Sequence, residues 1–595
     1  MGITLMPLFL FVPGFALSFL FQWICGFFER AAFSIILSVS LGVVVSVLFA
    51  MFGLPLASSF LILLAGCVAL LFFSRKKALV FFSEWKILPR QQKRFFVFFL
   101  VISILAGVFA AAPHFRYPWP IHGDEWWQVG TVQNLMEGKP INTHPYFFDE
   151  LTNDKPGFSG YIAGLLGAGG IDPIDGWVFL PAVNMFLISF VGSLLLYAIT
   201  RKGLLAGAFP ILLMAIRSNA YILGWWFFVP STFGLFFVLA AFLSLPFWRN
   251  TLSGFAFAFV LFAALFLVYA PLGLFSLIIL LPFSIPYRSV LAYARNHVFL
   301  FSVVFFAMIA IVVGGIYIAT TISPYREYWI VNPSLPPPVI QAFFVPRAAT
   351  LHLSSGSGLF DTVPLILLFA AAVGCIGIKK EPWKRVVCFG ALLGVLNVLL
   401  AHVLGVSFLL FHQRAFYALG ILAAVLASSG VSLLFDEFRE SRYAKRISLP
   451  RKRAVGILFL LCFGFLLFSG YFALPNGTLL YHLVEQEDLT AMAWLVKHRE
   501  EFGNMTVVAN QAVGTLITPF TRMKSKISFL TAQNAAAAID PRDILAAEEP
   551  DCRKKEESII RLKGDLIYAK SPQSCQFLKE LYASPRVFIY LYKKV

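Results

Sequence analysis

Long runs of apolar residues, separated by short polar segments, make up most of the chain as far as residue 475. Many of these runs reach the roughly 20 residues that a helix needs to cross the hydrocarbon core of a membrane. They are apolar on every face, whereas a transmembrane β-strand alternates apolar and polar positions. The pattern predicts about fourteen membrane-spanning helices, near 3–24, 32–52, 54–73, 95–113, 178–199, 203–216, 222–245, 252–269, 271–286, 298–320, 363–378, 386–408, 415–434 and 454–473.

Beyond residue 475 the pattern changes to amphipathic helices that alternate with short strands. Such alternation over roughly 120 residues is typical of a small α/β domain outside the membrane. We therefore expect a membrane domain at 1–474 and an extracytoplasmic α/β domain at 475–595. The predicted elements of the second domain are helices at 488–502 and 542–563, and strands at 505–510, 526–530, 565–569 and 586–595.

The composition agrees with a membrane protein and excludes a soluble one. The chain is 59% hydrophobic and only 13% charged, and its mean hydropathy is +0.81. Such values lie far outside the range of soluble domains. The net charge of +17 raises the question of nucleic acid as a partner, which the distribution of the charge answers.

Of the 47 Lys and Arg residues, 24 lie in the loops on one side of the predicted spans, seven lie in the opposite loops, and 16 follow the last span. By the positive-inside rule the first set faces the cytoplasm. The basic residues therefore indicate topology and contact with anionic membrane lipid, and nucleic acid is not a predicted partner. We expect a multi-pass protein of the plasma membrane with its N-terminus and C-terminal domain on the extracytoplasmic side.

Two of the predicted outer loops, 114–177 and 321–362, are long. Loops of this length between packed helices are usually functional or disordered. The first contains eight acidic residues and three basic ones, and we expect it to carry the chemistry. The second is rich in Pro and then in Ser and Gly, which predicts a flap.

The first outer loop begins with an acidic pair, Asp124 and Glu125, after a long apolar run. Apolar residues at helical spacing follow the pair and predict a helix at 125–137, lying flat on the membrane surface with Asp124 at its N-terminal end. Two ordinary explanations stay open. Acids at a helix start complement the helix dipole, and Trp126 and Trp127 are typical interfacial anchors.

A second helix is predicted to start at Pro156, because proline favours the first helical position. Lys155 then stands at the positive end of the helix dipole, where a cation is unfavourable and an anion is favoured. Binding of a phosphate group explains the lysine. Ion pairing with Asp154 or Glu150 is the alternative.

The two features together resemble a known family. The segment "GDEWWQVGTVQNLMEGKPINTHPYFFDELTNDKPGFSGYIAGLL" is similar to the first outer loop of the GT-C membrane glycosyltransferases, and most of all to the protein O-mannosyltransferase and lipid A aminoarabinose transferase group. Those enzymes carry an Asp-Glu pair outside a membrane helix, followed by a Lys-Pro-Pro-type motif. Here the second motif is Lys155-Pro156-Gly157. The tail, through "AWLVKHREEFGNMTVVAN" and "TRMKSKISFL", resembles the outer α/β domain of many GT-C proteins.

The resemblance implies an enzyme that transfers a sugar from a polyprenyl-phosphate donor (dolichyl or undecaprenyl phosphate) to an acceptor on the outer face, with inversion. It assigns the role of catalytic base to Asp124, with Glu125 beside it, and the role of donor-phosphate ligand to Lys155. Removal of a proton from the acceptor hydroxyl and stabilisation of the departing phosphate fit these residue types.

The chain departs from the family pattern in two ways. The next outer loop, 217–231, has no acidic residue, so no cofactor is predicted, and Mg²⁺ or Mn²⁺ is left as an alternative without a second outer-loop acid to support it. The Trp-Trp-Asp-Tyr-Gly motif of oligosaccharyltransferases is absent, which argues against transfer of a preassembled glycan.

Further candidates lie outside these motifs. Arg414 is a second predicted phosphate ligand, since arginine binds phosphate through a fork of donors. Contact with lipid headgroups or an ion pair is the alternative for Arg414 and for three weaker candidates, Arg217, Arg326 and Arg347. His412 is a further weak candidate, and a packed interfacial histidine is the alternative for it. Cys552 and Cys575, in the C-terminal domain, are expected to form a disulfide only if that domain is outside the cell.

Two other functions stay open. A lipid or sugar transporter would show related halves and ionisable residues at the middle of the membrane. The predicted spans contain almost no central charges, and the two halves are not similar. A catalytically silent GT-C relative that acts as a scaffold would bind the donor without turnover.

Overall fold

The structure is a computed structural model, and it describes eleven parts of the chain. They are residues 2–146 except 22, 25, 116 and 142; 155–216; 225–248; 251–284; 344–346; 363–378 except 364 and 377; 381–404; 406–408; 412–440; 484–527 except 510; and 547–593 except 548.

Helices dominate the described part of the first 440 residues. In chain order they are α1 (Gly2–Ser18), α2 (Phe27–Met51), α3 (Leu56–Phe73), α4 (Arg75–Ile87), α5 (Arg90–Ala111), α6 (Gly123–Met136), α7 (Pro156–Gly169), α8 (Pro173–Trp177), α9 (Leu180–Thr200), α10 (Gly203–Met214), α11 (Pro230–Trp248), α12 (Leu252–Ser284), α13 (Leu365–Gly374), α14 (Pro382–Leu404) and α15 (His412–Glu440). Within the described residues eight candidate spans are long and apolar enough to cross a membrane, and two further apolar helices, Met6–Ser18 and Gly203–Met214, are shorter. The protein is therefore a multi-pass membrane protein.

The predicted count of about fourteen spans is not confirmed. The predicted spans 298–320 and 454–473 lie outside the described residues. The two predicted at 252–269 and 271–286 correspond to the two parts of α12, which meet at a kink where the backbone of Tyr269 leaves helical geometry, with φ −157° and ψ 91°.

The predicted flap at 321–362 lies outside the described residues, with one exception. A short strand, β1 (Phe344–Pro346), pairs antiparallel with β2 (Val406–Phe408).

Contacts bring together loops that the charge pattern assigns to one side. Arg201 Nη2 lies 3.1 Å from Glu29 Oε1, and Lys202 Nζ lies 2.9 Å from Asp436 Oδ2. Arg201 follows α9 and Lys202 precedes α10, whereas Glu29 lies in the first turn of α2 and Asp436 in the last turns of α15. All four lie at helix ends that are predicted to be cytoplasmic. The packing of the bundle is therefore consistent with the predicted order of its loops. Which end faces the cytoplasm stays a prediction.

The C-terminal residues form a small domain of mixed helices and strands, as predicted. Its helices are α16 (Gln486–Lys497), α17 (Arg499–Phe502), α18 (Gln511–Thr521) and α19 (Cys552–Leu562), and its strands are β3 (Thr506–Ala509), β4 (Lys524–Ile527), β5 (Leu566–Ala569), β6 (Leu578–Ala583) and β7 (Phe588–Tyr592). The sheet order is β4-β3-β5-β7-β6, parallel between β4, β3 and β5, and antiparallel at β7 and β6.

Two features of this domain tie it together. Cys552 and Cys575 form a disulfide between α19 and the segment before β6. The buried carboxylate of Asp488 in α16 accepts hydrogen bonds from the Tyr568 hydroxyl, at 2.6 Å, and from Lys570 Nζ, at 2.8 Å. Both partners lie on or next to β5, so α16 is fixed to the centre of the sheet.

Candidate active site

Asp124 lies in the first turn of α6, where His122 caps the helix. The Asp124 amide donates a hydrogen bond to His122 Nδ1 over 3.0 Å. Since Nδ1 accepts, it carries no proton, and burial lowers the pKa of His122 further, against the opposing effect of the Asp124 charge. The imidazole is therefore neutral. The Asp124 side chain is 60% exposed, and its Oδ2 lies 3.9 Å from the same nitrogen, so the carboxylate points into open space.

Glu125 has the opposite environment, because it is fully buried. Its Oε2 accepts the amides of Ile121 and His122, at 2.8 and 3.2 Å, and its Oε1 accepts the amide of Phe228, at 2.9 Å. Burial raises the pKa of Glu125 to about 7, although these amides and the nearby Trp177 side chain favour the ionised form. Glu125 thus fixes the start of α6 to the segment before α11. Its contacts favour a positioning role over the catalytic role predicted from the sequence.

Lys155 precedes α7 as its N-cap residue, and Pro156 occupies the first position of the helix. The lysine side chain makes no hydrogen bond to the helix end. Gly157 lies against α12: a Cβ atom added there would stand 2.6 Å from Leu267 Cβ and 2.8 Å from its carbonyl oxygen. Position 157 therefore has no room for a side chain, which explains why glycine stands there.

The helices α6 and α7 run parallel. Near their starts, Ser159 Oγ donates to Gln128 Oε1 over 3.2 Å. Near their ends, a Cβ atom on Gly167 would lie 3.9 Å from the Met136 methyl carbon. Both pairs are 31 residues apart in the chain, as are Asp124 and Lys155. Since packed helices lie about 8–10 Å apart, this register places Asp124 and Lys155 at the same end of the pair.

Phe228 supports this arrangement independently. Its amide binds Glu125 in the first turn of α6, and its ring lies 5.2 Å from that of Phe158 in the first turn of α7. One residue therefore contacts both helix starts.

Arg414 approaches from α15. Its guanidinium donates to the hydroxyl of Tyr269 and lies 5.1 Å from the centre of that ring. Tyr269 lies two residues after Leu267, against which Gly157 packs. Arg414 therefore reaches the stretch of α12 that α7 also contacts. The charge of Asp124 acts on Arg414 as well. A carboxylate and two cations thus converge on one region.

Sequence reasoning missed Tyr146. The ring of Tyr146 is fully buried and lies 5.4 Å from that of Trp127. Trp127 comes one helical turn after Asp124 in α6. Burial and the charge of Asp124 raise its pKa well above the ordinary value of 10. The hydroxyl is therefore protonated, and it has no hydrogen-bond partner among the residues that the structure describes. No spacing in the sequence indicated it.

Helix α6 is covered by other parts of the protein, which its sequence pattern did not predict. Residues along almost its whole length are buried, because α7 covers one side and the C-terminal domain covers another. Trp126 is fully buried against Phe520, with ring centres 5.3 Å apart. It is therefore a packing residue and not an interfacial anchor. Trp127 is partly exposed.

Several predicted site residues lie outside the described part of the chain. They are Arg217, Arg326 and Arg347, together with Asp154 and Glu150, the alternative partners of Lys155. His412 is the first residue of α15, and its side chain is not described. Among the described residues, no group of three or more His, Cys, Asp and Glu side chains is placed to hold a metal ion.

No protein-family model and no curated protein sequence matches the chain. Among solved structures, the apo oligosaccharyltransferase of Archaeoglobus fulgidus is similar over 80% of this chain and 69% of its own, with 13% identity and a TM-score of 0.47. The archaeal oligosaccharyltransferase AglB from Archaeoglobus fulgidus, in complex with an inhibitory peptide and a dolichol-phosphate, has 15% identity and a TM-score of 0.47 over 81% of this chain and 70% of its own. TM-scores below 0.5 do not establish a common fold.

Proposed function

We propose that this protein is a membrane glycosyltransferase that moves a single sugar from a polyprenyl-phosphate donor to an acceptor hydroxyl at the outer surface of the membrane. The parallel register of α6 and α7 supports the proposal, because the two helix starts that carry Asp124, an exposed carboxylate, and the cation Lys155 lie at the same end of the helix pair. These are the two groups that the resemblance to GT-C enzymes pairs.

The proposed reaction uses each group once. The acceptor oxygen forms a bond to the anomeric carbon and gives its proton to the Asp124 carboxylate. The bond between the anomeric carbon and the phosphate oxygen breaks, and its electron pair stays on the phosphate. Attack from the face opposite the phosphate inverts the anomeric centre.

The departing phosphate is stabilised by the start of α7. Lys155 supplies a positive charge, and the amide of Gly157, in the first turn, has no carbonyl of its own helix to bind. Arg414 adds a second cation on the side of α12. Fixed charges of this kind stabilise a developing anion without reorganisation of solvent. A phosphate ester is a good leaving group, so the mechanism requires no general acid.

The test is transfer from a radiolabelled polyprenyl-phosphate sugar by the purified full chain in nanodiscs, with a panel of lipid, peptide and glycan acceptors. We expect Asp124→Asn to lower kcat by about 100-fold or more and to leave donor binding intact. The matched control is Asp175→Asn, an exposed acid of the same loop, which keeps wild-type activity. Undiminished transfer by Asp124→Asn contradicts the role of base, and donor binding without turnover by the wild type supports a scaffold instead.

A further inference from the structure

Arg522 connects the C-terminal domain to α6. It lies in the turn between α18 and β4, and its side chain is only 14% exposed. Its guanidinium donates to Gln133 Oε1 at 2.7 Å and to Asn134 Oδ1 at 3.0 Å, and it lies 2.7 Å from Glu137 Oε2. One side chain thus binds three residues in the last turns of α6.

The backbone of Arg522 is left-handed, with φ 60°. Residues other than glycine adopt this conformation at a cost, because Cβ crowds the backbone carbonyl. The three contacts on α6 offset that cost, since the fork of a buried arginine forms strong, directional hydrogen bonds. The turn geometry and the contact with α6 therefore depend on each other.

Other contacts surround this one. Gln133 Nε2 donates to the carbonyl of Pro519 over 3.0 Å. The Phe520 ring packs between Trp126 and Trp119, with centres 5.3 and 5.5 Å away. The end of α18 and the turn after it therefore cover a second side of α6.

Strand β4, which follows the turn, also contacts the segment that carries Tyr146. The amide of Ser525 donates to the carbonyl of Tyr146 over 3.3 Å. The C-terminal domain thus contacts α6, which carries Asp124, and also the segment after α6 that carries Tyr146.

We propose that Arg522 is a positioning residue: it fixes the register of α6 on α7 and so keeps Asp124 beside Lys155. This inference rests on the proposed function for its catalytic consequence, but the mechanical part stands apart from it. Without Arg522, the C-terminal end of α6 loses three polar contacts and can shift, whereas its first turn stays bound through Glu125. A shift of about 1 Å in a reacting group can cost about 100-fold in rate.

The test compares Arg522→Ala, Arg522→Lys and Arg553→Ala in the full chain. Arg553 is a 90% exposed arginine of the same domain and serves as the matched control. Amide hydrogen exchange, resolved by peptide, should rise at least tenfold in α6 for Arg522→Ala and remain unchanged in β3 and β5. Arg522→Lys should show an intermediate rise, because it keeps the charge and loses the fork.

Transfer activity gives the second readout. We expect kcat per folded molecule to fall about 10- to 100-fold for Arg522→Ala, to recover partly in Arg522→Lys, and to stay unchanged in Arg553→Ala. If the wild type proves inactive, the proposed function fails, and exchange in α6 still decides the positioning role.

A variant from the other side of the contact guards against simple unfolding of the domain. Gln133→Ala removes a partner that lies on α6, and it should raise exchange in α6 without disturbing the sheet. Wild-type exchange in α6 of both variants overturns the proposal, as does faster exchange throughout β3 and β5 in both.

Discussion

At the scale of single residues, Glu125 makes the stability of the folded protein depend on pH. In the folded protein it keeps its proton up to a pKa of about 7, whereas its ordinary pKa is 4.5. The folded state therefore binds this proton more tightly than the unfolded chain does. The resulting contribution to stability is complete below pH 4.5 and is lost as the pH rises through 7.

Glu125→Gln should remove this pH dependence, since glutamine does not ionise. The stability advantage of the wild type over the variant should shrink by about 3 kcal/mol between pH 4.5 and 8, because one pKa unit corresponds to about 1.4 kcal/mol. Thermal unfolding midpoints in detergent at pH 5, 6, 7 and 8 measure it. Asp175→Asn is the control, and parallel curves for wild type and Glu125→Gln contradict the expectation.

The sequence predicted some of these residues and not others, for a physical reason. Asp124, Lys155 and Arg414 are charged residues beside long apolar runs. A charge at such a place costs free energy, so the sequence alone indicated that something must offset it. Arg522 and Tyr146 carry no such signal. Arg522 reaches Asn134 across 388 positions of the chain, and only tertiary packing brings such partners together.

At the scale of elements, the start of α7 depends on close packing against α12. Gly157→Ala should destabilise the protein by about 1–3 kcal/mol through overpacking and should weaken donor binding by displacing Lys155. Gly160→Ala is a matched control in the same helix, because its Cβ would meet Ser46 at an ordinary 3.6 Å. Unfolding midpoints and donor affinity measure both. Equal behaviour of the two variants contradicts the packing argument.

Element prediction succeeded where the periodicity was undisturbed. The helices α6 and α7 and the strands β3, β5 and β7 lie within a few residues of their predicted positions. Two elements of the C-terminal domain, α18 and β6, had no prediction. Helix α18 contains Pro519 and several β-branched residues, and the edge strand β6 has no regular burial pattern. The burial of α6 under the C-terminal domain was not predicted either, because an amphipathic pattern does not distinguish lipid from a covering domain.

At the scale of the whole molecule, the disulfide between Cys552 and Cys575 offers a test of sidedness. A membrane-impermeant phosphine added to intact cells should reduce it if the C-terminal domain is extracytoplasmic. Loss of a crosslink over 23 positions should then lower the stability of the domain by about 3 kcal/mol. Thiol labelling and unfolding midpoints measure the two effects. A Cys552→Ser, Cys575→Ser double variant should not respond, and protection of the wild type in intact cells contradicts the topology.

The parallel arrangement of α6 and α7 has a consequence for the resting protein. Two helix dipoles with their positive ends adjacent repel each other. Helix α6 offsets its own share with the carboxylate of Asp124, whereas α7 begins after Lys155, which adds a positive charge. An anion bound at the start of α7 lessens this repulsion. Polyprenyl phosphate without any sugar should therefore raise the melting temperature of the protein, because a ligand that binds the folded state stabilises it by mass action. Asp124→Asn should retain that protection, measured as a concentration-dependent melting temperature, and Lys155→Met should lose most of it. Recognition of the lipid carrier would then be separable from catalysis.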